Sequence, residues 1–441
     1  MRNRLTFTKS KAFTERIERL IPGGAHTYTK GRDQFPQEVS NGIVRGRGAR
    51  VWDADGNCLV DWSMGLTAVS VGHAHPEINK AVFEAIENGV NFQRPAELEL
   101  QAAEAFLAMA GTDMVKFAKH GSVVNTAAVK LARGFTHRAK VAVPKEHPFF
   151  SFDDWFIGTT AADFGIPDEL KRLTLTFSYN DIASLHALFR QHPGEISCVM
   201  MEPVKFDAPA GDFLGEVGAL CRREGAVFIL DEMVTGFKFG VPGAARYFGI
   251  EADIYTFGKG IANGFAACAL TGRGDLMRLG GLDPVGARKL FLLSTTHGAE
   301  SSGLAAMVKT IELFQDGSLI GGNWANGTAL RSKLEAIIAR HGLERNLRII
   351  GYPCLMAIET NGPAGSPDMA FRTLFLQEMI MRGILFQGLF MFSPSHGSPE
   401  VEATTAAFDE SCAVYRTALE RGSVDGLLVG PPIKPVFRRY L

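Results

Sequence analysis

A chain of 441 residues with 46% hydrophobic and 21% charged residues exceeds the size at which one core keeps growing, so about two or three domains of ordinary globular composition are expected. Its formal net charge of -1 supplies no basic field for nucleic acid or anionic lipid, and no uncharged run reaches the length of a membrane span. Its six cysteines contain no Cys-x-x-Cys pair, which argues against a disulfide framework and against a zinc site, so no metal is expected.

The opening stretch "MRNRLTFTKSKAFTERIERL" lacks the apolar core and small-residue cleavage site of a signal peptide, and a cytoplasmic location is expected. Periodicity predicts a helix from Lys11 to Leu20, a turn at "IPGG", and short strands around "GIVRGRGARVWDADGNCLVDW", where "DADG" is hairpin chemistry. Further on, helical patterns alternate with short apolar runs: "CVMMEP" at 198, "AVFILDE" at 226 and "ADIYTFGK" at 252. Runs that are apolar without alternation suit strands covered on both faces, and their alternation with helices implies parallel βαβ units. The tail mixes an amphipathic helix ("ALRSKLEAIIARHG") with strand-like pieces ("CLMAIET", "GILFQGLFMF"). The expected division is an N-terminal segment at 1–68, a large α/β domain at 69–315 and a smaller α+β domain at 316–441.

Three features of the middle segment carry chemistry. "MVKFAKHGSVVNTAAVKLARGF" reads as a strand at Val115 and Phe117, a turn at Gly121, an N-cap at Ser122 and a helix face of Val124, Ala127, Ala128, Leu131 and Phe135. The free amides of such a helix start bind phosphate. No Walker pattern and no strict G-x-G-x-x-G is present, which weakens nucleotide-binding readings. Asp231 follows five apolar residues, so it should emerge at the carboxyl end of a buried strand and need a cationic partner. Lys259 ends a second such strand, between two glycines. Alone, that turn suits a solvated lysine better than a catalytic one. One ligand accounts for all three features together: pyridoxal phosphate, with its phosphate at Gly121 and Ser122, its ring nitrogen kept protonated by Asp231, and its aldehyde held as an imine by Lys259.

Over nearly its whole length the sequence resembles the class III, fold-type I aminotransferases, and within them the glutamate-1-semialdehyde aminomutase group. The likeness is carried by "IPGGAHT", "VSVGHAHPEI", "KHGSVVNTAAVKLAR", "LDEMVTGFKFG" and "TFGKGIANGF". It implies a large, mainly parallel-sheet domain with a smaller α+β domain built from the two termini, and a homodimer with shared active sites. It makes Lys259 the Schiff-base lysine and Asp231 the pyridinium partner. Met233 would cover one face of the ring and Phe149 would stack on the other, although "PFFSF" on its own reads as core aromatics. Thr295, or Thr296 if the register slips by one, would reach the phosphate of the neighbouring subunit. Glu202 is either a carboxylate supporting the site or an exposed loop acid.

The aminomutase pattern breaks at substrate positions. Lys30 stands for an arginine, Met64 for a tryptophan and Gly388 for a glutamate. Next to the phosphate turn, Val123 and Val124 replace polar or small residues. The expected function is transfer of an amino group between an amino acid donor and a carbonyl acceptor, such as an oxidised amino sugar or aminocyclitol. An isomerase, aminomutase or epimerase, would use the same proton shuttle. A non-catalytic binding module is disfavoured because Asp231 and Lys259 are both retained.

Overall fold

The computed structural model describes residues 5–283 and 288–434. It falls into two compact units: one comprises residues 67–70 and 76–320, and the other is drawn from both ends of the chain, up to 66, 71–75 and from 321 onward.

In the terminal unit the first helix spans Thr8–Glu18, three residues ahead of its expected start. The Asp55 carboxylate accepts from the amides of Lys9 (2.7 Å) and Ser10 (2.8 Å) and so satisfies free N–H groups of the first turn. Local periodicity carries no trace of that contact. Strands β1 (Arg45–Arg47), β2 (Arg50–Trp52) and β3 (Cys58–Asp61) form antiparallel pairs. The β2–β3 turn is held by Asp53, whose Oδ1 accepts from the amides of Asp55 (3.0 Å) and Asn57 (2.8 Å), the Asx chemistry read in "DADG".

The central unit holds β4 (Met114–Ala118), β5 (Lys140–Pro144), β6 (Thr174–Phe177), β7 (Ile196–Met201), β8 (Val227–Asp231), β9 (Ile254–Phe257) and β10 (Cys268–Gly272). They form one sheet in the order β4-β10-β9-β8-β7-β5-β6. The pairs among β5 to β9 are parallel, while β10 runs antiparallel to both of its neighbours. Every residue of β7 and β8 is buried, and the two-residue period explains why both faces had to be apolar. Cys198, Met200, Val227 and Ile229 pack with Val124, Ala127, Ala128 and Leu131 of the helix Gly121–Thr136. Their sequence neighbours Val199, Met201, Phe228 and Leu230 pack on the other face with Leu185, Phe189, Leu214 and Val217. Each fully buried aliphatic contributes about 1.5–3 kcal/mol. Phe135 departs from the expected helix face: it is 41% exposed, in the helix's last turn, with the Arg273 guanidinium 6.0 Å from its ring centre.

Strands β11 (Leu347–Tyr352) and β12 (Leu355–Thr360) begin the tail's sheet, β13 (Ile384–Leu385) pairs in parallel with β3, and β14 (Leu389–Met391) pairs with β12. The helix read in "ALRSKLEAIIARHG" begins earlier, at Ser318, and runs to His341, because the Asp316 carboxylate caps the Ser318 amide at 2.9 Å. Leu330 and Leu334 of this helix, Phe375 and Met379 of Met369–Met381, and Phe408 and Tyr415 of Ser398–Arg421 build the core of the terminal unit. Among the described residues, no helix is long and apolar enough to cross a membrane.

Candidate active site

The strand register brings the chemical residues of the central unit to one edge of its sheet. Ala118 at the end of β4 faces Cys268, Phe257 faces Ala269, Thr256 faces Asp231, and Leu230 faces Met201. The segments that follow β4, β9 and β7 therefore leave the sheet at the same edge as Asp231, those after β9 and β7 on the strands next to it. They carry Gly121 and Ser122, Lys259, and Glu202 respectively. In open α/β sheets this carboxyl edge is where ligands bind.

The Gly-Lys-Gly turn has a steric cause. A Cβ on Gly258 would lie 2.5 Å from Sδ of Met233 and 2.7 Å from Sγ of Cys268, so only glycine fits. Lys259 then takes a left-handed backbone (φ 48°), a conformation that costs a non-glycine residue on the order of 1 kcal/mol. Ser70 Oγ donates to the Gly260 carbonyl at 2.6 Å and fixes the far side of the turn. Lys259 is thus a half-buried amine on a rigidly held turn. Met233 touches the other end of the site as well: a Cβ on Gly121 would meet its Sδ at 3.1 Å. The Met233 side chain accordingly lies between the Gly121 turn and the Lys259 turn.

Asp231 is 3% exposed. Its Oδ1 accepts from the Met233 amide (2.8 Å) and its Oδ2 from Nδ2 of Asn125 (2.8 Å). Burial, reinforced by the Glu202 carboxylate and opposed by Lys259 and those two hydrogen bonds, pushes the Asp231 carboxyl up to about 7. A cation at its remaining lone pairs would hold it ionised. Glu202 is 4% exposed, which decides against the exposed loop acid. Its backbone amide donates to Nδ1 of His147 (3.1 Å), while its Oε2 is buried with no hydrogen-bond partner among the described residues.

At the phosphate turn, the helix begins at Gly121 with His120 at the N-cap, and no side chain caps it. Ser122 is therefore inside the first turn rather than at the cap: the helix starts two residues earlier than expected, and Ser122 Oγ accepts from the Phe152 amide at 3.1 Å. Thr295 and Thr296 line a cavity of about 270 Å³ with Lys119, His120, Val123 and His297. Lys119 is held there by Glu300 at 2.6 Å, and this pair, against the penalty of burial, draws the glutamate down to about 2. Phe149 is 38% exposed, whereas its neighbour Phe150 is 1% exposed in the core, so the core-aromatic reading of "PFFSF" holds for Phe150 and not for Phe149.

The three substrate candidates belong to the terminal unit. Lys30 is exposed. Met64 is completely buried, so within this unit it offers no surface as a pocket wall, because its side chain is taken up by the core. Gly388 has φ +88°, and a Cβ there would lie 2.5 Å from Nη2 of Arg372, which donates to the Gln387 carbonyl at 3.2 Å. The glycine is required where it stands.

Sequence reasoning missed Asn125, His147, Lys205 and Glu232. Asn125 had a signal, since it interrupts the apolar stripe of its helix. Glu232 accepts hydrogen bonds from Thr235 and from the amides of Ala244 (2.9 Å) and Ala245 (2.7 Å), and so closes the loop after β8.

A sheet of this order, with its site at the carboxyl edge, is the large domain of a fold-type I pyridoxal-phosphate enzyme. Residues 34–391 match the family model for class III aminotransferases, and the chain belongs to that family. Among solved structures it is similar to the FumI protein of Sphingopyxis sp. MTA144 in its PLP internal aldimine form (26% identity, TM-score 0.85, 94% of this chain and 98% of that one). It is also similar to an omega-transaminase from Sphaerobacter thermophilus (25% identity, TM-score 0.83, 92% and 98%). A glutamate-1-semialdehyde aminomutase from Pseudomonas aeruginosa PAO1 shares the fold (20% identity, TM-score 0.80, 92% and 94%). The protein is an aminotransferase-class enzyme with pyridoxal phosphate as its cofactor. Its residues suit that group: glycine is required at 258, Met233 spans the gap between the two turns, and the Asp231 carboxyl is ready for a cation.

Proposed function

We propose that the protein transfers an amino group between an amino acid donor and a carbonyl acceptor, with Lys259 as the lysine that carries the cofactor. The observation that supports this most is the convergence of Asp231, Lys259 and the Gly121 turn on one sheet edge. In this reading Gly121 and Ser122 hold the phosphate through the free amides of the helix start. Asp231 keeps the ring nitrogen protonated by a charge-assisted hydrogen bond, with Asn125 fixing its carboxylate and Glu202 adding negative charge beside it. Met233 and Phe149 cover the two ring faces. Bound there, pyridoxal phosphate supplies an electron sink for the substrate carbon. With the cofactor bound, the Lys259 amine would carry a proton to and from the substrate carbon as general base and acid.

Thr295, with Thr296 as its neighbour in register, would reach the phosphate of a second subunit, making the enzyme a cytoplasmic homodimer with shared sites. The acceptor is proposed to be larger than glutamate semialdehyde and rich in hydroxyl or amino groups, of the oxidised amino sugar or aminocyclitol class. Support comes from Gly388, which brings no carboxylate, and from Lys30, a point charge in place of an arginine fork. The test offers the holoenzyme a panel of amino acids and amino sugars. Keto product formed from a donor, together with amination of a sugar-class carbonyl, is expected. Turnover of glutamate semialdehyde alone would overturn the substrate class. Rearrangement or inversion without any keto product would make the enzyme an isomerase.

A further inference from the structure

The chain enters the central unit at Thr67 in a conformation that L-residues avoid. Met64, Gly65, Leu66 and Thr67 carry φ of 44°, 63°, 60° and 68° in succession, a left-handed turn in which only one residue is glycine. For a β-branched threonine this is an outlier, and such backbone persists only where its surroundings over-determine it. Thr67 is 5% exposed, and its hydroxyl is buried with no hydrogen-bond partner among the described residues. Its carbonyl accepts from Nζ of Lys238, a long bond of 3.4 Å. Lys238 is itself 3% exposed, and the chemistry above gives it no task.

The same ammonium touches the turn that carries Lys259. A Cβ on Gly260 would lie 3.4 Å from Cβ of Ser70, 3.5 Å from Nζ of Lys238 and 3.7 Å from the Thr67 carbonyl oxygen, so all three pack against the residue that follows Lys259. Ser70 Oγ adds its 2.6 Å bond to the Gly260 carbonyl. Lys238 also belongs to the loop that leaves β8 after Asp231, where its amide donates to the Thr235 carbonyl at 3.1 Å and the Gly236 amide to the Glu232 carbonyl at 2.9 Å. One side chain thus joins three segments of the central unit: the loop behind Asp231, the Thr67–Ser70 segment and the Lys259 turn. The carboxylate whose charge it meets is Glu232, 0% exposed; burial raises that carboxyl, and the Thr235 hydroxyl, the Ala245 and Ala244 amides and Lys238 draw it down.

We propose that Lys238 is a positioning residue, whose buried ammonium locks the Thr67–Ser70 segment against Gly260 and so holds Lys259 in the left-handed backbone that presents its amine to the cofactor. The proposal rests on the assignment of Lys259 given above. Lys259 needs such bracing, because its φ of 48° relaxes to an ordinary value wherever the turn is free to move. Without the ammonium, the Thr67 carbonyl loses its donor and the 67–70 segment loosens. Lys259 then relaxes, and its amine moves off the aldehyde carbon.

The experiment compares the wild type with Lys238→Met and Lys238→Arg by two measurements. In the cofactor-free protein, amide hydrogen exchange is followed in peptides covering 258–265 and, as the internal reference, 196–201 of β7. The Met variant should exchange about tenfold faster in 258–265, the scale of one left-handed residue relaxing, with β7 unchanged, and the Arg variant, which keeps the cation and its donors, should return toward the wild type. In the second measurement, pyridoxal phosphate is titrated into each protein, and the borohydride-fixed label on Lys259 should reach half-saturation at about tenfold more cofactor in the Met variant. If that variant fails to fold because Glu232 is left buried without its cation, Lys238→Met combined with Glu232→Gln removes the charge and should show the same two changes. Exchange that is unaltered, or that rises equally in both peptides as a general loss of stability would make it, overturns the proposal. Label missing from Lys259 in the wild type defeats the underlying assignment, whereas label on Lys259 at the same half-saturation in every variant defeats only the role of Lys238.

Discussion

Asp231 should be a liability to the cofactor-free protein, and Asp231→Asn should relieve it. Its carboxyl is raised from 3.8 to about 7, a shift of about 3 units worth ~1.36 kcal/mol each, or about 4 kcal/mol once the group ionises in the fold. The sign follows from proton binding. Between the two values the folded chain holds a proton that the unfolded chain has released, so stability falls as pH rises and levels off above about 7. Asparagine keeps the shape and cannot ionise, but its amide must face one of the two donors, Asn125 or the Met233 amide, at a cost of about 1 kcal/mol. In urea unfolding of the cofactor-free protein, the variant should then be more stable than wild type by about 3 kcal/mol near pH 8, and by less than about 1 kcal/mol near pH 5. Cofactor should reverse the order, because a protonated ring nitrogen opposite Asp231 supplies the missing cation. Parallel stability profiles for the two cofactor-free proteins would refute the reasoning.

Borohydride reduction of the holoenzyme followed by peptide mapping should label Lys259, and label on another lysine would contradict the assignment. Asn125→Ala removes a donor to both Asp231 and the Phe150 carbonyl (2.7 Å), and should cost about 2 kcal/mol of stability and weaken cofactor binding, read by equilibrium dialysis. Gly388→Glu, which restores the aminomutase residue, should destabilise the protein by about 1–3 kcal/mol because of its left-handed backbone and the Arg372 contact, and should not confer semialdehyde turnover. The same substitution in an Arg372→Ala background should recover part of that loss in thermal unfolding.

The residues legible in the sequence were those whose chemistry is announced by their neighbours along the chain. Asp231 closes an apolar run and Lys259 stands between glycines, and both patterns follow from local causes: a strand buried on two faces, and a turn whose first glycine is forced by Met233 and Cys268. Asn125 and Lys205 carry no such notice. The partner of Asn125 is 106 residues away in the chain, and Lys205 stands out only because Glu202, the carboxylate its ammonium approaches, is buried. The cap expected at Ser122 lies two residues earlier, at His120, because serine suits the first turn as well as the cap, and the Ser122 hydroxyl serves the Phe152 amide instead. The exposure of Phe149 and the burial of Phe150 could not be separated in a run of aromatics without the fold.

The partition of residues between the units bears on how the two halves of the reaction can vary. Every residue assigned to the cofactor, from Gly121 to Thr296, belongs to the central unit, while Lys30, Met64 and Gly388 belong to the terminal one. The central residues are bound by mutual constraints: Met233 fixes the glycines at 121 and 258, Asn125 fixes Asp231, and Glu232 closes the intervening loop. A change at one of them propagates to the others, so the cofactor signature survives intact. Gly388 answers to a different neighbour, Arg372, whose fork occupies the space a larger side chain would need. Exchange at Gly388 is therefore coupled to Arg372 within the terminal unit and leaves the mutual constraints around Asp231, Met233 and Gly258 in the central unit untouched.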